Sequence, residues 1–118
     1  MRITGGRARG IVLKIPKRGV LRPATGFLRE SVFSSMAARV PGAHVLDLFA
    51  GTGAYGLEAL SRGAVHATMV DANAAAVEAI RANLAAVAKA MGEANADALG
   101  RAVTGDVFTW QPSRGEVF

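Results

Sequence analysis

Apolar and polar positions along the chain fall into short blocks whose period switches between two and about three and a half, the pattern of alternating strands and helices. The run His44-Val45-Leu46-Asp47-Leu48-Phe49 is apolar with one acid, and it breaks into Ala50-Gly51-Thr52-Gly53. A helical pattern resumes at Tyr55-Gly56-Leu57-Glu58 and runs to Arg62, where Gly63 suits the left-handed residue that ends a helix. The block predicts strand, glycine turn, helix. A second apolar run over 64–70 ends in Asp71, and Asn73 can cap a long alanine-rich helix through Met91. Val77, Ile80, Leu84 and Val87 mark the buried face of that helix at intervals of three and four, and Gly92 closes it. Residues 93–98 read as a polar connection, 99–104 as a third strand running into Gly105-Asp106-Val107, and 112–115 as a loop. Glu116-Val117-Phe118 reads as the start of a further strand.

Upstream of this core the pattern is shorter. Residues 2–14 alternate around Gly5-Gly6 and Gly10 and predict a small β-hairpin, followed by a turn over 15–19 punctuated by Pro16 and Gly19. Leu28, Val32, Phe33, Met36 and Ala37 recur at helical spacing and predict a helix over 26–39, capped by Thr25 and ended by Pro41-Gly42. Strand and helix alternation predicts right-handed βαβ crossovers and a parallel sheet, an α/β fold of Rossmann-like type. The expected division is a basic N-terminal hairpin over 1–19 and a Rossmann-like domain over 20–118. Three strands and a stub leave a sheet edge exposed, so the chain is expected to be a fragment.

At 118 residues and 51% hydrophobic, the chain is of single-domain size with enough apolar residues for a core. It has no cysteine, which excludes disulfides, thiolate nucleophiles and cysteine zinc sites; no metal site is expected. No apolar run reaches membrane-spanning length, the start lacks a secretory block, and glycines interrupt any amphipathic transit helix, so a cytoplasmic location is expected. Charge is unevenly distributed. Residues 1–46 carry nine Lys and Arg against Glu30 alone, a net +8, whereas residues 47–118 carry five against eight acids, a net −3. A basic front half joined to an acidic half suits a nucleic-acid partner, since phosphates bind by charge. Arg7, Arg9 and Lys14 on the hairpin, Lys17 and Arg18 in the turn, and Arg22 and Arg29 beyond it are the candidate phosphate contacts. No aromatic is interleaved with the hairpin's basic residues, which favours phosphate contact over base reading. Arg29 alternatively pairs with an acid near the cofactor.

The glycine turn carries the candidate chemistry. Gly51-Thr52-Gly53-Ala54-Tyr55-Gly56 fits a G-x-G-x-x-G dinucleotide fingerprint, and Asp71 lies at the distance that suits two ribose hydroxyls. Asp47 separates two readings, because a carboxylate beside the turn repels a pyrophosphate but attracts the sulfonium and ammonium of S-adenosylmethionine. The methyl donor is therefore favoured over a nicotinamide cofactor, with the alternative that Asp47 only bonds the turn. Asp106, at the carboxyl end of the third strand, either accepts from an adenine amino group or caps the turn over 107–110.

Several stretches together resemble the RsmD family: Gly5-Gly6-Arg7-Ala8-Arg9-Gly10, Arg22-Pro23-Ala24-Thr25 with Arg29-Glu30, Asp47-Leu48-Phe49-Ala50-Gly51-Thr52-Gly53, and Gly56-Leu57-Glu58-Ala59-Leu60-Ser61-Arg62-Gly63-Ala64. The resemblance implies the class I S-adenosylmethionine-dependent methyltransferase fold and methyl transfer to a guanine N2 of small-subunit ribosomal RNA, with a methyltransferase of another base or of protein, or a non-catalytic RNA-binding module, as the alternatives. The complete enzyme is expected to be a monomer. The resemblance also implies that Asp47, Phe49, Ala50, Gly51, Thr52 and Gly53 form the methionine-side loop, that Asp71 with Ala72 takes the ribose, and that Asp106 with Val107 frames the adenine. Two departures stand out. The family's Thr-Thr-Asp-Arg after Arg-Pro is replaced by Ala24-Thr25-Gly26-Phe27, and the Asp-Pro-Pro-aromatic motif that carries the chemistry is not among these residues. Accordingly no catalytic residue is assigned, and the 118-residue chain by itself is expected not to turn over.

Overall fold

The computed structural model describes residues 1–15, 26–48, 50–112, 115, 116 and 118. Three strands, β1 (His44–Leu48), β2 (His66–Asp71) and β3 (Gly100–Thr104), form a parallel sheet in the order β1-β2-β3. The register pairs Asp47 with Met69 and Leu48 with Val70 on one side, and Asp71 with Thr104 on the other. Helices α2 (Ala54–Ser61) and α3 (Ala74–Ala90) form the two crossovers. The predicted β-α-β-α-β order is therefore present, and each element lies within two residues of its predicted bounds.

Alternation along β2 divides the two faces of the sheet. Ala67 and Met69 join the core cluster with Leu57 and Leu60 of α2 and Ile80, Leu84 and Val87 of α3. Helix α3 follows its predicted stripe closely, and the Asn73 side chain accepts from the amides of Ala75 and Ala76, which are otherwise orphaned at a helix start. On the opposite face, Thr68 donates to the Glu116 carboxylate at 3.1 Å, Arg101 pairs with Glu116 at 2.8 Å, and the rings of Trp110 and Phe118 meet at 6.4 Å between centroids. Glu116 and Phe118 thus lie outside any strand, contrary to the expected fourth strand; Val117 is outside the described residues.

Helix α1 (Gly26–Ser35) is shorter than predicted and buries a different face. Leu28 and Met36 are exposed, and the buried residues are Arg29 and Phe33, one turn apart. The helix ends early because Ser35 turns its hydroxyl onto the Val32 carbonyl at 2.7 Å, and the next bond, Met36 amide to Phe33 carbonyl, is of the tighter i→i−3 kind. The expected Thr25 cap lies outside the described residues.

The N-terminal hairpin is reduced to one antiparallel bridge, Arg2 with Val12, flanked by bonds from Ile3 N–H to the Ile11 carbonyl and Leu13 N–H to the Met1 carbonyl. Its turn closes through Gly10 N–H to the Ile3 carbonyl at 2.8 Å and also bonds α2. Ala8 N–H donates to the Ser61 hydroxyl, that hydroxyl donates to the Gly5 carbonyl, and Arg7 N–H donates to the Ser61 carbonyl. Gly6 makes this approach possible: its φ is +79°, and a Cβ there would sit 2.0 Å from the Ser61 carbonyl oxygen. Ile3, Ala8 and Leu13 are buried in the same core as the helices.

Candidate functional site

The carboxyl ends of the strands gather the predicted acids. Asp71 closes β2 and binds two backbone amides, Gly51 N–H at 2.9 Å through one oxygen and Asn73 N–H at 2.9 Å through the other. The turn after β1 is thereby tied to the end of β2. The Ala50 amide donates to the Val70 carbonyl, and Gly53 starts α2 at a left-handed φ of 80° that a side chain would strain. Asp47 accepts from the Gly56 amide at 3.2 Å, one of the free amides in the first turn of α2. The local bonding alternative for Asp47 is thus present in the structure and is compatible with a ligand role.

The Asp47 carboxyl is pushed up to about 6, chiefly by burial; the Gly56 amide opposes the shift and the charge of Asp71 adds to it. Two carboxyl groups beside a glycine turn form a place where a cation is attracted and a pyrophosphate repelled. The chemistry of these side chains therefore fits the sulfonium and ammonium of S-adenosylmethionine. Gly105 N–H bonds the Asp71 carbonyl at 3.0 Å, which brings Asp106 and Val107 to the same edge. Asp106 caps its turn, accepting from Phe108 N–H at 2.9 Å, and is exposed, as is Ala72. Thr52 is buried, and Phe49 lies outside the described residues. A cavity of about 810 Å³ lined by His44, His66, Arg101, Glu116 and Phe118 lies at the amino ends of the strands, away from these acids. Burial holds the His66 imidazole below its usual pKa there.

The basic residues divide. Arg9 and Lys14 are exposed, and Arg7 is exposed while its guanidinium also donates to the Met91 carbonyl. Lys17, Arg18 and Arg22 lie outside the described residues. Arg29 does not reach a surface phosphate: it is 1% exposed, its Nε pairs with Glu58 at 2.9 Å, and it also donates to the Arg2 carbonyl. Of its two expected roles only the pairing with an acid is realised, and that acid is on α2.

Glu58 and Asn83 are the residues that the sequence reading missed. Glu58 is fully buried and receives Arg29, Arg62 at 2.9 Å, and the amides of Thr4 and Gly5, both at 2.9 Å. Burial alone would raise its pKa, but Arg62, the Thr4 amide and Arg29 outweigh burial and hold it below the usual carboxylate range. Arg62 also lies 5.5 Å from the centroid of the Phe33 ring, completing the joint between α1 and α2. Asn83 is 1% exposed on α3, within the apolar stripe. A polar residue on a buried stripe was the available signal, since such groups are hydrogen-bonded when buried.

A parallel sheet that carries a glycine turn between acids at its carboxyl edge defines this chain's class, the Rossmann-like fold of the class I methyltransferases. A sequence model of the family described as Conserved hypothetical protein 95 matches residues 1–108, and the chain belongs to this family, the RsmD family. Ribosomal RNA small subunit methyltransferase D of Escherichia coli K12 is 45% identical over 85 residues, which cover 72% of this chain and 43% of that protein. Among solved structures, yhhF from Escherichia coli, whose name assigns it as a methyltransferase, superposes with a TM-score of 0.74 at 36% identity over 92% of this chain and 54% of its own. A hypothetical protein of Thermus thermophilus superposes with a TM-score of 0.71 at 36% identity over 92% of this chain and 57% of its own. The chain spans less than half the length of the curated relatives it matches.

Proposed function

We propose that this chain is the donor-binding part of an S-adenosylmethionine-dependent methyltransferase that acts on a guanine N2 of small-subunit ribosomal RNA. The observation that carries the reading is that Asp71 bonds the Gly51 amide and Asp47 the Gly56 amide, one on each side of Gly53, a site whose charge suits a sulfonium and not a pyrophosphate. The names of the relatives support the RNA substrate, as does the basic N-terminal half. When bound, the donor supplies an electrophilic methyl carbon. Asp71 would accept the ribose hydroxyls with the lone pairs its two amide bonds leave free, Asp47 would hold the methionine side, and Asp106 with Val107 would take the adenine. Arg7, Arg9, Lys14, Lys17, Arg18 and Arg22 hold RNA phosphates. That methyl group would go to the guanine amino nitrogen, and no residue of this chain is assigned as acceptor of the proton that nitrogen would lose. A cytoplasmic monomer is the state in which we place the whole protein.

Calorimetric titration with S-adenosylhomocysteine, with Asp71→Ala as control and NAD as competitor, tests the donor reading. Binding that the control loses and NAD does not contest is the expected result. A folded chain that binds NAD, or neither ligand, would overturn it.

A further inference from the structure

Asn83 spends every hydrogen-bonding group of its side chain on two segments far away in sequence. Its Oδ1 accepts from the Lys14 amide at 2.7 Å, one Nδ2 hydrogen goes to the Lys14 carbonyl at 3.0 Å, and the other goes to the Thr52 carbonyl at 3.0 Å. Lys14 is 69 residues from Asn83 in the chain, and Thr52 is 31. The position is apolar in every other respect, between Ile80, Leu84 and Val87 of α3, and a leucine there would complete the stripe. An amide in such surroundings is tolerated only when fully bonded, and here the bonds join the basic N-terminal segment to the middle of the donor turn. A second contact makes the same connection independently: the Thr52 hydroxyl donates to the Met1 sulfur at 3.3 Å, so the N-terminal segment reaches Thr52 by two routes.

We propose that Asn83 is a positioning residue that couples the donor turn to the N-terminal basic segment, so that filling the turn orders the segment that carries Arg7, Arg9 and Lys14. The inference rests on the donor reading given above. Gly53 adjoins Thr52, and any ligand that fixes the turn also fixes the Thr52 carbonyl, which in turn fixes the Asn83 amide and the Lys14 backbone. Coupling of this kind is reciprocal, so order imposed on the segment by RNA tightens donor binding by the same factor.

Amide hydrogen exchange with S-adenosylhomocysteine as the probe tests it, under conditions in which Leu13 and Lys14 exchange through local opening, faster than the core amide of Met69. The expected result for the native chain is that saturating ligand slows Leu13 and Lys14 about fivefold or more, at the lower end of usual coupling strengths. In Asn83→Leu, Gly53 remains slowed by the ligand while the slowing of Leu13 falls to what the Met1 contact with Thr52 alone transmits. Equal slowing of Leu13 in native and variant chains overturns the proposal, because a merely structural Asn83 changes stability and not the response to ligand. If Asn83→Leu does not fold, the native chain decides: a Lys14 amide that responds to ligand supports the coupling, and one that does not respond overturns it. Absence of any ligand effect at Gly53 in the native chain instead marks failure of the donor reading, and the coupling falls with it.

Discussion

Asp47 and Asp71 bond amides on either side of Gly53, and burial, with a smaller contribution from the Asp71 charge, disfavours the ionised form of Asp47. Because the folded state holds the Asp47 proton up to about pH 6, against 3.8 in the unfolded chain, the native state binds more protons between those values. Stability therefore falls as pH rises through that window, and the cost of the ionised group is fully present above it. Asp47→Asn keeps an acceptor for the Gly56 amide and removes the charge, so it should stabilise the chain at pH 8 by up to about 3 kcal/mol. That gain should vanish near pH 4; equal urea midpoint shifts at the two pH values would contradict the assignment. Affinity for S-adenosylmethionine should rise from pH 5 to pH 7 in the native chain as Asp47 ionises, and Asp47→Asn should flatten the profile.

At the scale of elements, the Glu58 carboxylate of α2 joins both α1 and the N-terminal turn. Removing it strands Arg29, so Glu58→Ala should cost about 3–5 kcal/mol, the usual penalty for leaving a buried charge unpaired, read from urea denaturation. Arg29→Met should cost less, since Glu58 keeps Arg62 and two amides. Gly6→Ala should cost about 1–2 kcal/mol for its left-handed backbone, and more for the clash with Ser61, with a matching fall in thermal midpoint. Helix α3 was legible in the sequence because its cap, its stripe and its terminal glycine are all local signals. The buried face of α1 was not legible. An arginine at a buried helical position is disfavoured until a carboxylate is known to face it, and Glu58 lies 29 residues away. Leu28 and Met36, apolar and correctly spaced, are exposed because the Arg29–Phe33 face has the better partners in Glu58, Arg62 and Tyr55.

The whole molecule places a basic N-terminal segment against the helices that follow the glycine turn. If Arg7 and Arg9 touch RNA phosphates, replacing both with alanine should weaken RNA binding and reduce the slope of log affinity against log salt by about 0.7–0.9 per lost contact. Binding of S-adenosylhomocysteine should stay close to native, and an unchanged salt slope would remove those residues from the RNA surface. Asp47, Asp71 and Asp106 were legible as a set because strand ends and the glycine turn follow from backbone periodicity, and a parallel sheet brings successive carboxyl ends to one edge. The sequence by itself determined the strand-turn-helix alternation, the cap at Asn73 and the acids of the turn, because each depends on neighbours a few residues away. Only the tertiary structure decided that Arg29 is internal, that Glu58 gathers two arginines and two amides, and that Asn83 links Lys14 to Thr52. Burying a charge or an amide depends on a partner that chain folding, and not local pattern, brings within hydrogen-bonding distance.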